Sequence, residues 1–178
     1  MSYASSVTAA GTRGRILAAA AGVLAEREAA SMAEIAAAAG VARGTLYRHF
    51  PTRDSLVAAL EVAANDEAGR RLAEANLDRV PVDEGLARAT RALVAVGMHY
   101  IVLLRERRPP EPSFAAPLVT LLGRGVEGGE LRSDVPVSVL AETLLVLVAV
   151  CLRSAGDDVH AEDISATALR LFLDGARQ

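Results

Sequence analysis

The sequence predicts an all-α protein: an N-terminal three-helix head joined to a larger helical body. Three observations predict it. Apolar residues make up 52% of the 178 positions but aromatics only 3%, and much of the apolar content is Ala and Leu, which are strong helix formers. Apolar side chains recur at helical spacing in one segment after another. Gly or Pro stands between those segments. The head is expected over 1–52 and the body over 53–178, with no internal repeat.

The first helix is expected from about Thr12 to Glu26, with Ile16, Leu17, Ala20, Val23 and Leu24 on one face, closing the head against Ile35 and Leu46. Ser31 and Glu34 form an S-x-x-E capping box that opens a short second helix, whose apolar face is Ile35, Ala36 and Ala39. Gly40 breaks it with the backbone freedom of a tight turn. Arg43 to His49 make a third short helix that ends before Pro51. Thr52 caps the fourth, with Asp54 near its positive end; that helix carries Leu56, Val57, Leu60 and Val62, then turns polar from Asn65 to Glu74.

In the body, Pro81 and Asp83 restart a helix that runs through Leu93, Val96, Tyr100 and Leu104 and ends in the basic residues Arg105, Arg107 and Arg108. Pro109, Pro110 and Pro112 are a stiff break. Phe114, Leu118, Leu121, Leu122 and Val126 mark another amphipathic helix, stopped by Gly128 and Gly129, with a loop from Glu130 to Asp134. The last two helices cover about Val137 to Ser154 and His160 to Ala176. The first is apolar around its whole circumference, the pattern of a helix buried on every side. A small body has few places to bury both, so a two-fold homodimer is expected. Its interface is expected at Leu144, Leu145, Val148, Leu152, Ile164, Leu171 and Phe172.

Two short helices joined by a Gly turn, the second studded with Arg43, Thr45, Tyr47, Arg48 and His49, suit insertion into the major groove of DNA. An Arg at position 43 is able to pair with guanine O6 and N7. Gly44 permits close backbone approach, and Thr45 offers a hydroxyl to a base edge or a methyl to thymine. Ser31 and Met32 sit at the positive end of the motif's first helix, where backbone N–H groups take a phosphate, although a purely structural cap is an equal reading of Ser31.

The run Gly40-Val41-Ala42-Arg43-Gly44-Thr45-Leu46-Tyr47-Arg48-His49-Phe50, followed by Thr52-Arg53-Asp54-Ser55-Leu56, resembles the DNA-binding signature of the TetR family of transcriptional regulators. The resemblance is dense over about residues 12–60; beyond that it extends only to length and helical layout. It implies base or near-base contacts from Arg43, Gly44 and Thr45. It also implies phosphate contacts from Tyr47, His49 and Arg53, the last standing where the family most often has Lys, with Arg48 on the exposed face and Leu46 turned inward. Core packing remains a second reading of Tyr47. Ala42 stands where the family often has a capping Ser or Thr, and a missing cap costs about 1 kcal/mol. The resemblance further implies double-stranded DNA with an inverted-repeat operator as partner, most often repression, and a body pocket for a small-molecule effector. Met98, His99, Tyr100 and Phe114 place soft and polar groups where such a pocket would lie, in an aliphatic lining that favours an apolar or mildly polar effector. For His99 a core histidine, and for Arg105 a solvated helix end, are the plainer readings.

Net charge is −3, which by itself speaks against nucleic acid, but the charge is unevenly spread. Positions 1–60 carry six Arg against four acids and are basic; the remainder carries thirteen Arg against eighteen acids. All 19 basic residues are Arg. Cys151 is the single cysteine, so a reducing cytoplasm fits and a buried, inert thiol is expected. No signal peptide is apparent at the N-terminus, and the strictly apolar run from Leu144 to Leu152 is too short to span a bilayer, so no membrane association is expected. Asp157, Asp158 and His160 read as a capping loop, and His49 has no second ligand at useful spacing; no metal or cofactor is expected. The competing function class is a helical small-molecule carrier or enzyme without DNA binding. It would need the pocket but not the basic helix, and no paired carboxylates, activated nucleophile or phosphate loop supports catalysis.

Overall fold

The computed structural model describes residues 3–100, 113–156 and 158–177, with side chains at 11–100, 114–156 and 158–177. Among these residues the chain forms eight α-helices and no strand. They are α1 (Tyr3–Glu26), α2 (Met32–Ala38), α3 (Arg43–His49), α4 (Arg53–Glu74), α5 (Val82–His99), α6 (Ala116–Glu127), α7 (Val137–Ser154) and α8 (Ala161–Ala176). Short 3-10 turns at Leu77–Arg79 and Ser113–Ala115 precede α5 and α6. The fifth helix, expected to run through Tyr100, ends at His99, with Tyr100 as its C-cap at φ −113° and its N–H donating to Val96 O. Leu104, the basic residues from Arg105, the Pro109–Pro112 break and Asp157 lie outside the described residues. α1 begins upstream of the expected Thr12, because Gly11 does not interrupt it.

The chain divides into two compact units, Met1–Ala63 and Ala64–Gln178, with the division inside α4 rather than ahead of it. Leu56 and Leu60 at the front of α4 are fully buried and fall in the first unit, while Leu72 joins the hydrophobic cluster of the second.

In the first unit the apolar stripe of α1 is buried at Ile16, Leu17, Ala20, Ala21 and Leu24. Ile35 and Ala36 of α2, Leu46 of α3 and Phe50 are buried too. α4 opens on a reciprocal cap: the Ser55 N–H donates to Thr52 Oγ1 and the Thr52 N–H to Ser55 Oγ, each at 3.1 Å. The turn from α2 to α3 is a Schellman motif. The Val41 N–H donates to Ala36 O and the Gly40 N–H to Ala37 O, both at 3.0 Å, with Gly40 at φ +64°.

The second unit packs α5, α6, α7 and α8 around one cluster that includes Leu86, Leu93, Leu121, Leu144 and Phe172. α5 and α6 approach closely at Gly85, where a Cβ would lie 2.6 Å from Leu121 Cδ1. The buried Thr90 hydroxyl donates to Leu86 O at 2.7 Å, so this polar group inside α5 is satisfied within its own helix.

The expectation that α7 is buried on every side is corrected. Leu140, Leu144, Val148 and Leu152 enter the core, but Val139, Val146 and Val150 stay 45%, 54% and 39% exposed. One chain has only one face of α7 to cover. By length and composition α7 is also apolar enough to cross a membrane, with Glu142 and Arg153 as its only charged residues, yet its inward face is part of the body's own core.

Because the left-handed backbone at Gly40 disfavours any Cβ, Gly40→Ala is expected to destabilise the first unit by roughly 1–2 kcal/mol. Nothing lies within 4 Å of the added methyl, so the cost is conformational, and a denaturant melt followed by helical circular dichroism measures it.

Candidate nucleic-acid interface

α3 has seven residues and divides cleanly into two sides. Leu46 is fully buried, whereas Arg43, Gly44, Tyr47 and Arg48 are exposed and Thr45 and His49 half-buried. Spacing of i, i+1, i+4 and i+5 sets the four exposed residues on one helical face opposite Leu46. Tyr47 is 47% exposed, so core packing does not account for it. No hydrogen bond or ion pair among the described residues engages Arg43 or Arg48, so both guanidinium groups face solvent with their donors available. Around Gly44 there is open space. Ala42 is the N-cap of α3 and makes no side-chain cap, as the sequence implied. Phe50 closes the helix from below, with the Arg13 guanidinium 5.2 Å from its ring centroid and the His49 ring tilted against it.

The other candidates are differently placed. Ser31 caps α2: its hydroxyl accepts from the Glu34 N–H at 3.3 Å and lies 2.9 Å from Glu34 Oε2, and its own N–H donates to Glu34 Oε2 at 2.7 Å. The Glu34 carboxylate lies at the positive end of α2, and the structural cap read for Ser31 is formed. Met32 beside it is half-buried. Glu34 also accepts from Arg27 at 2.8 Å. The Ser31 hydrogen bonds and then Arg27 lower the Glu34 pKa from 4.5 to about 2. Arg53, implied to contact phosphate, donates in this structure to two backbone carbonyls, Ala30 O at 2.6 Å and Glu28 O. The sequence carries no signal for that contact, because a carbonyl acceptor has no residue identity.

In the body, Met98 and His99 are exposed at the end of α5, and Tyr100 and Phe114 are half-buried. The His99 and Tyr100 rings meet edge-on at 4.8 Å. Burial, and then the negative charge of Glu67, push the Tyr100 hydroxyl above its ordinary pKa. Phe114 packs against α4, where a Cβ on Gly69 would lie 3.4 Å from Phe114 Cβ. Of the seven side chains expected at a dimer interface, Leu144, Val148, Leu152, Ile164 and Phe172 are buried in the chain's own core and Leu145 is partly covered. Only Leu171, 49% exposed, presents most of its surface outward. The sequence pattern showed how apolar these helices are but not which face their own neighbours use. Cys151 is half-buried, and burial raises its thiol pKa.

An exposed donor-bearing helix, set by a Gly turn on a capped helix and backed by a buried apolar face, defines a helix-turn-helix DNA-binding protein. Residues 16–60 match the model of the tetR family of bacterial regulatory proteins. The HTH-type transcriptional repressor LfrR of Mycolicibacterium smegmatis is 38% identical over 108 residues, covering 59% of this chain and 56% of the relative, little more than half its length. The HTH-type transcriptional regulator NfxB of Pseudomonas aeruginosa is 28% identical over 173 residues, 91% of this chain and 92% of that one. The crystal structure of LfrR from Mycobacterium smegmatis in complex with proflavine is similar over 92% of this chain and 95% of its own, with a TM-score of 0.73 at 26% identity. The chain thus carries, over residues 16–60, a domain that matches the tetR family of bacterial regulatory proteins, and over most of its length it is similar to TetR-like regulators.

The depressed Glu34 pKa makes a signed prediction. The charged carboxylate stabilises the head above its unfolded pKa of 4.5, and that contribution is lost as pH falls toward about 2. Glu34→Gln keeps a capping side chain but no charge. The stability difference between wild type and Glu34→Gln should therefore be full at neutral pH and close progressively below pH 4.5, as read by urea denaturation across a pH series.

Proposed function

We propose that this chain is a homodimeric, cytoplasmic transcriptional repressor that binds an inverted-repeat operator through α3 and is released by a small-molecule effector. The observation that carries the reading is the α3 face of Arg43, Gly44, Tyr47 and Arg48, exposed opposite the buried Leu46. Arg43 opens the helix, where its planar fork suits guanine O6 and N7. Gly44 and Thr45 flank it at the base edges, and Tyr47, Arg48 and His49 supply donors for the sugar-phosphate backbone. Repression is supported by the name of LfrR. A carrier or enzyme without DNA binding would leave this unpaired, outward face without a purpose.

The dimer is supported by the apolar surface left on α7 and α8: Val139, Val146, Val150 and Leu171. The effector site is supported by Met98, His99, Tyr100 and Phe114, whose aliphatic surroundings suit an apolar or mildly polar effector, and by the LfrR structure in complex with the small molecule proflavine. Release requires the effector to bind the free protein more tightly than the DNA complex, with a typical coupling of about 1–3 kcal/mol.

Gel shift and footprinting with DNA flanking the protein's own coding region test the reading: a protected inverted repeat is expected, and no protection at any sequence contradicts it. On that site Arg43→Ala should weaken specific binding by roughly 1–3 kcal/mol and relax preference at one position per half-site. Unchanged sequence preference would assign base reading elsewhere.

Val146→Glu should yield a monomer that no longer binds the repeat, because it places a charge on the outward apolar face of α7 without touching the core. Sedimentation of the wild type as a monomer at micromolar concentration would contradict the dimer.

A further inference from the structure

Arg53 stands at the first position of α4, where the motif implies a phosphate contact. Its geometry is that of a clamp. The two terminal nitrogens of one guanidinium donate to Ala30 O, at 2.6 Å, and to Glu28 O, both in the loop between α1 and α2. The Ala30 carbonyl belongs to the same peptide unit as the Ser31 N–H. That N–H donates to Glu34 Oε2 at 2.7 Å. A single peptide plane is therefore held from opposite edges, by a cation on α4 and by a carboxylate on α2. Glu34 is itself held by Arg27 at 2.8 Å. The end of α1, the start of α2 and the start of α4 meet in one set of charge-assisted hydrogen bonds.

We propose that Arg53 is a positioning residue: it fixes the Ala30–Ser31 peptide, and through it the entry of α2, so that α2 presents α3 in one orientation. The assignment rests on the DNA-binding reading above. The family most often has Lys at this position, but an ammonium is a point donor, whereas the planar fork of Arg53 spans two carbonyls. The same device occurs in the body, away from α3. Arg124 donates to Leu77 O at 2.8 Å and to Val80 O at 2.6 Å, tying α6 to the 3-10 turn before α5. In both places the guanidinium supplies donors to loop carbonyls that no backbone N–H among the described residues serves.

The two roles differ in what they do to DNA binding. A phosphate contact adds affinity to every sequence and contributes to the salt dependence, at a log-log slope of about 0.9 per contact. It is also largely retained by Lys. A positioning residue governs only complexes that need α3 correctly oriented.

The test uses the full chain as wild type, Arg53→Lys and Arg53→Ala. Each is titrated on its footprinted duplex and on a scrambled duplex of equal length, over a salt series, with active fraction set by stoichiometric titration. Amide hydrogen exchange of the free proteins is followed at Ser31. The proposal expects Arg53→Lys to lose tenfold or more on the specific duplex, as Arg53→Ala does. Affinity of Arg53→Lys for the scrambled duplex and its salt slope should match wild type, and its Ser31 amide should exchange faster. Rescue by Lys, a slope lowered in Arg53→Ala with equal losses on both duplexes, or unchanged Ser31 exchange would overturn it. Wild-type protein that bound neither duplex would remove the DNA-binding reading, and the positioning role with it.

Discussion

A helix of seven residues does not persist alone in water, because the cost of nucleation exceeds what so few hydrogen bonds return. α3 therefore depends on the burial of Leu46 and on Phe50 at its end, both held in the core that α1, α2 and the front of α4 supply. The direction of every outward donor on α3 follows from that single inward side chain, since rotation of the helix would expose Leu46 and bury Tyr47 or Arg43. The Schellman turn at Gly40 removes the remaining freedom by fixing how α3 leaves α2. On the DNA-binding reading, function is a matter of orientation: the donors are ordinary, and their common face is what a groove requires.

A second theme is the work assigned to arginine in a chain whose basic residues are all Arg. Arg53, Arg88, Arg124 and Arg132 all donate to backbone carbonyls at loops or helix ends, at Ala30, Ala75, Leu77 and Gly175 among others. Arg27, Arg70 and Arg177 pair with carboxylates on the surface, where such pairs contribute little. Arg43 and Arg48 do neither. The charge that makes the head basic is thus unequal in kind: part of it is structural, and the part available to a polyanion includes Arg43 and Arg48 on α3 and the exposed Arg15 of α1. Counting charge along the sequence does not separate the two.

Much of the fold was legible because it rests on local rules. The Ser31–Glu34 capping box, the Thr52 cap, the Gly40 turn, the uncapped Ala42 and the apolar stripe of α1 all follow from neighbours within four residues or so, and they appear where the sequence placed them, except that Ala21 is buried on α1 while Val23 is only half-buried. The exposed side of α3 was equally legible, since Leu46 is its one large aliphatic residue. What was not legible depends on distant partners. Leu144 and Phe172 are as apolar as Val146 and Leu171, and only the packing of α5 against α7 and α8 determines which pair is core and which is surface. Arg53 and Arg124 bind carbonyls, which leave no mark on the sequence. The division of the chain inside α4 reflects which of its turns are buried by which unit, again a long-range matter.

The central claim, that the α3 face is what meets DNA, is tested most directly by site-specific photo-crosslinking. A photoreactive amino acid is placed in turn at Tyr47, at Arg48 and, as a control, at the exposed Ala37 of α2. Each protein is irradiated on the footprinted duplex and the crosslinked nucleotides are mapped. The account predicts crosslinks from positions 47 and 48, falling symmetrically in both half-sites, and none of comparable yield from position 37. Crosslinking from position 37, or from the body, with α3 silent would contradict it.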